Sequence, residues 1–140
     1  MTFKHLALTA AALALLAPGA ALAAHGKAGL WSTTSTTAMN GMPPRTNTST
    51  YCMTQAQVNS DKPPPSENHD CVMQNEHVAG HTMSADMVCH GSFEATGHFE
   101  STYDSETHYT SKVSMKMQGM EMNTTAVGRW LRADCAGAMH

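Results

Sequence analysis

Aliphatic side chains are nearly missing from this chain once its first two dozen residues are set aside. From Ala24 to His140 there is no Ile, and there are only two Leu and six Val. Aromatic residues make up 6% of the chain and charged residues 14%. An interior of the usual Leu and Ile type is thereby excluded, and something else must fill it. A basic excess is also missing. The same span carries seven Lys and Arg against eleven Asp and Glu, a net charge of −4 with His neutral. Nucleic-acid binding needs a basic face to neutralise phosphates, so that class is excluded. No Cys-x-x-Cys, Gly-x-Ser-x-Gly or His-Glu-x-x-His occurs, and no close pair of carboxylates suggests acid–base work. The chain is therefore expected not to be an enzyme.

Methionine takes the place of the missing aliphatics. Eleven Met and eight His lie between Ala24 and His140. A thioether is both an adaptable core filler and a soft metal ligand, so the same residues support two readings.

The N-terminus reads as a secretory signal over residues 1–23. Lys4 and His5 form a short positive start, Leu6 to Leu16 is apolar but too short to span a bilayer, and Ala21-Leu22-Ala23 has the small-x-small cleavage pattern. Residues 24–140 are then expected to be a single exported β domain, periplasmic or secreted, with no membrane span. In that setting the four cysteines, Cys52, Cys71, Cys89 and Cys135, read as two structural disulfides.

Helical periodicity is almost absent after the leader, and Thr and Ser runs suit strands better. Strands are expected near 29–39, 45–52, 70–78, 81–90, 92–102, 107–117 and 120–134. Turns fall at Asn40-Gly41, Ala79-Gly80, Gly91, Asp104-Ser105 and Gln118-Gly119. Thr54 reads as the cap of a short helix, and Pro63-Pro64-Pro65 as an extended linker. The fold class is all-β: a single antiparallel meander of about seven strands, forming a small barrel or a strongly curved sheet.

Two register arguments follow. A two-residue turn at Gln118-Gly119 sets Met117 against Met120, Met115 against Met122 and Val113 against Thr124, with Lys116 and Glu121 paired on the other face. Four thioethers then form one patch. With Ala79-Gly80 as a two-residue turn, Cys71 lies opposite Val88 and projects from the face opposite to Cys89, which a disulfide does not tolerate. Of the two pairings left, Cys52–Cys71 with Cys89–Cys135 is preferred, because it closes the proline-rich excursion and ties the last strand to the middle of the sheet, and the crossed pairing is the other option.

Gly29-Leu30-Trp31, Met39-Asn40-Gly41-Met42-Pro43-Pro44, Cys52-Met53-Thr54, the Met-x-Met-x-x-Met-x-Met hairpin and the closing Arg132-Ala133-Asp134-Cys135 run through nearly the whole exported span. Together they resemble a family of small exported bacterial proteins known as domain of unknown function 3617. The resemblance implies an exported, cysteine-stapled β domain with no assigned activity, in which Met-rich turns are ordinary. It does not explain the histidines.

The candidate site residues are Met39, Met42, Met117, Met120 and Met122, with His77 and His81. Met39 to Met42 and Met117 to Met120 are both Met-x-Gly-Met units at turns, and Cu(I) and Ag(I) favour thioether ligands where no free thiol competes. His77 and His81 flank a turn and could chelate from it, or be exposed polar residues. His90, His98 and His108 are expected to face solvent. The leading functional expectation is a non-catalytic binding protein taking copper or silver through Met and His. The alternative is a binding module for a lipophilic molecule or an envelope partner, with the methionines as its lining.

Overall fold

A computed structural model describes residues 26–60 and 70–138. The leader, His25, His69, the Pro63–Pro65 segment and Met139-His140 lie outside the described residues. Seven strands form one sheet: β1 (Gly29–Met39), β2 (Met42–Met53), β3 (Cys71–Ala79), β4 (Thr82–Cys89), β5 (Ala95–Ser105), β6 (His108–Met117) and β7 (Met120–Arg132). Every pairing is antiparallel, and the order is β2-β1-β7-β6-β5-β4-β3. β2 and β3 are edges that do not pair with each other, so the sheet is open. Pro43 and Pro44 sit in edge strand β2, where a missing N–H is tolerated.

The sheet curls toward one face. Trp31 on β1 and Tyr103 on β5 are three strand spacings apart, roughly 14 Å on a flat sheet. Their ring centroids are 6.2 Å apart. The concave face carries alternate residues of each strand, fixed by hydrogen bonds across it: Thr33 Oγ1 to Tyr109 Oη at 2.8 Å and Thr37 Oγ1 to Thr124 Oγ1 at 2.9 Å. The convex face carries threonine pairs such as Thr34–Thr48 and Thr36–Thr46, each 2.9 Å apart.

An aromatic core cluster occupies one end of the concave face. Trp31 is fully buried and Met53 is 6% exposed, packed with Tyr103 and Tyr109, and Tyr51, Val58 and Trp130 lie against them. Trp31 packs against Tyr109 and Tyr103 against Tyr109 at 5.5 and 5.3 Å, an arrangement favourable beyond area burial. Tyr109 lies across Gly128 so closely that a Cβ there would overlap its ring. The glycine lets the Tyr109 hydroxyl reach past β7 to Thr33 on β1. Helix α1 (Gln55–Val58) closes this end, started by a Thr54–Gln57 capping box that ties the cap in both directions. Burial raises the Tyr51 and Tyr103 phenols well above their ordinary range, with Tyr109 beside each adding to it.

Three expectations need correction. The β3–β4 turn is Gly80-His81, since Ala79 pairs with Thr82. The β5–β6 turn is Glu106-Thr107, because β5 runs on to Ser105. The disulfides are Cys52–Cys135 and Cys71–Cys89, neither of which is in the preferred pairing. The cause is local. Asn75 takes a left-handed φ of 51°, and the register slips by one residue between Gln74 and His77. The shifted turn and this bulge together set Cys71 directly opposite Cys89, with Cα atoms 3.9 Å apart.

Candidate functional site

The last hairpin has the expected register throughout, from Met117↔Met120 and Met115↔Met122 to Val113↔Thr124. Gln118 (φ 44°) and Gly119 (φ 82°) make the two-residue turn, both in the left-handed region such hairpins need. Lys116 and Glu121 are register partners on the convex face, without an ion pair between their charged ends.

The first hairpin turns at Asn40-Gly41 and sets Met39 against Met42. Because the meander brings β7 beside β1, Met39 is also the partner of Met122. The two Met-x-Gly-Met units therefore converge. Read across the sheet from β2 to β6, one row of partners is Met42, Met39, Met122 and Met115. Met120 and Met117 form the next row outward. Partners across an antiparallel ladder have Cβ atoms about 4.5–5.5 Å apart, within reach of two flexible thioether arms. Met42 and Met120 are 49% and 48% exposed, and the other four are half-buried.

The row does not end at β6. Its position on β5 is Gly97, and on β4 and β3 it is Met87 and Met73. These two were missed by the sequence reading for the same reason as the disulfide. A regular register puts Met73 and Met87 on opposite faces wherever the two-residue turn falls, and the bulge at Asn75 puts them on one. A positive-φ Asn in an otherwise regular strand is the only local signal, and it is weak.

The two candidate histidines do not join this site. His77 is exposed and partners Ser84, on the convex face, while His81 sits in the β3–β4 turn. That turn is at the aromatic end of the strands, where the His81 carbonyl accepts from Tyr103 N–H at 2.9 Å. The remaining described histidines are exposed or half-exposed and partnered by carboxylates: His90 with Glu94 at 2.7 Å, His98 with Asp86 at 2.8 Å and His108 with Asp104 at 2.7 Å. Among the described residues no group of three or more His, Cys, Asp or Glu could hold a metal ion. All four cysteines are tied up as disulfides. The methionine rows offer neutral thioethers, donors that suit a soft monovalent ion such as Cu(I).

The motifs that carry the family resemblance have structural reasons. A Cβ on Gly29 would run into the Arg132 carbonyl and stand 2.8 Å from Trp130 Nε1, while Leu30 and Trp31 are buried on opposite faces. Arg132 Nε donates to Asp134 Oδ1 at 3.2 Å, and Ala136 N–H donates to the same oxygen at 3.1 Å. These contacts hold the Asp134 carboxyl below its usual range and shape the turn that carries Cys135 to Cys52. A model of the family described as protein of unknown function (DUF3617) matches residues 26–135, and the chain belongs to that family. No curated protein and no solved structure matches it.

Proposed function

We propose that this member of the DUF3617 family is an exported, non-catalytic protein of the periplasm or extracellular space that binds Cu(I) or Ag(I) through the methionine end of its sheet. The observation that carries this reading is the convergence of Met39, Met42, Met120 and Met122, from two hairpins 78 residues apart in the chain at Met42 and Met120, at one end of one face. Met53 and Met83 (6% and 2% exposed) already act as core, and the convergent group stays partly open to solvent. Two disulfides fit an oxidising compartment, where no free thiol pool competes for a soft ion.

Leu keeps most of the volume and apolarity of Met but has no sulfur. Replacing Met42 and Met120 together by Leu is expected to change apo stability by less than ~1.5 kcal/mol. Cu(I) affinity in the same variant should fall at least tenfold, or ~1.4 kcal/mol. Chelator competition and thermal melts read both. Parent-like copper affinity would remove the reading. The second reading, an apolar guest, is favoured by the concavity of the same face and the adaptability of a methionine lining. It would then stand in place of the first, and a lipid recovered with the purified protein would support it.

A further inference from the structure

The thioether row crosses a gap in β5 and resumes on β4 and β3. Met87 is the partner of Gly97 and of Met73. At Gly97 a Cβ would stand 3.0 Å from Met115 Cγ, so Met115 leans over the glycine toward β4. No β5 side chain separates Met115 from Met87. Met73 and Met87 are half-buried, whereas Met83, four residues from Met87 on the same face of the same strand, is 2% exposed and belongs to the core. One methionine of β4 packs; the other stays accessible.

The chain maintains this pair by a specific device. Without the bulge, Met73 would point to the convex face, opposite to Met87. The bulge is braced from the convex side by Asn75 Nδ2, which donates to Asp86 Oδ2 at 2.8 Å. On the concave side the Cys71–Cys89 bond lies in the adjoining row and locks the register of the same two strands.

We infer that Met73 and Met87 form a second thioether locus for a soft monovalent cation, Cu(I) or Ag(I), distinct from the hairpin locus and linked to it by Met115 over Gly97. This rests on the soft-metal reading of the hairpin methionines. β5 offers only Gly97 in this row, so the Met73–Met87 pair and the hairpin methionines are two groups of donors joined only through Met115. Two loci on one face carry two ions, an arrangement suited to sequestration.

The test uses the disulfide-intact chain, labelled at its methionine methyl carbons and titrated with silver nitrate. Uptake is read by native mass spectrometry and the methyl groups by NMR. At least two silver ions should bind, with the Met73 and Met87 methyls shifting together. Met73→Leu with Met87→Leu should lose one ion and keep the hairpin shifts at Met42 and Met120. If the Met73 and Met87 methyls of the parent stay fixed to saturation while the hairpin methyls move, the second locus is overturned and the hairpin reading stands. If no methionine methyl moves, both fall.

Discussion

At one end of the concave face Trp31 is fully buried, ringed by Tyr103, Tyr109 and Tyr51 and closed by α1. At the other end Met42 and Met120 leave nearly half their surface to solvent, and no aromatic residue shares their rows. Between the two ends lie small side chains, among them Ser35, Ser101, Ser111 and Ala126, which let the sheet curl without crowding its hollow. The difference separates two tasks that one residue type could have blurred. Bulky rings at the aromatic end supply the apolar burial that the missing Ile and Leu do not. At the far end Met42 and Met120, half-exposed, bury less surface than the rings.

The widest separation between the ends should come from Trp31. Trp31→Ala is expected to cost up to about 5 kcal/mol, because it empties the centre of the core. The equivalent loss at the far end, Met42→Ala, should be far smaller since the side chain is half-exposed. Urea unfolding of the two variants compares them directly, and equal losses would mean that the methionine end is core after all.

The disulfides divide in the same way. Cys52–Cys135 closes 83 residues at the aromatic end, and Cys71–Cys89 closes 18 at the methionine end. By chain entropy the first contributes about 4.5 kcal/mol and the second about 3 kcal/mol. Cys52→Ala with Cys135→Ala should therefore lower the denaturation midpoint more than Cys71→Ala with Cys89→Ala. The second variant, in turn, should loosen the Met73–Met87 register more.

A smaller effect sits at Asp86, on the convex side of the bulge. Hydrogen bonds from Asn75 and then His98 hold its carboxyl below the ordinary carboxylate value of about 3.9. A depressed folded-state pKa stabilises the native state above that ordinary value, and the gain is lost as pH falls through the depressed one. Since Asp86 is exposed, the shift in overall stability below pH ~4 is expected to be slight. Asp86→Asn should flatten that acid limb, and hydrogen exchange at residues 72–78 should rise in the same variant if the contact braces the bulge.

Much of the fold could be read from residue order because its cues are local. Gln118-Gly119 sets a turn, alternation sets the faces, and the four hairpin methionines fall where those two rules place them. The first hairpin follows from Asn40-Gly41 in the same way. The β3–β4 pair resisted reading because two one-residue deviations act together there, a turn at Gly80-His81 and a bulge at Asn75. The bulge alone reverses the face of Cys71 relative to Cys89, and the shifted turn then brings the two directly opposite. Both the disulfide pairing and the Met73–Met87 pair depended on seeing them. The candidate site was half legible: five methionines meet as their turns suggest, whereas the four-residue spacing of His77 and His81 brought neither to that end, because a strand and a turn do not share the faces of a helix.

The central claim is that the methionine end binds a soft ion through sulfur, and protonation distinguishes that from imidazole. Thioethers gain no proton between pH 7 and pH 4, whereas an imidazole ligand is protonated through its ordinary pKa of ~6.5. Cu(I) affinity measured by chelator competition at both pH values, corrected for protonation of the chelator, decides the matter. An affinity unchanged on acidification is the expected result. A fall of tenfold or more, ~1.4 kcal/mol, or no binding at either pH, would contradict it.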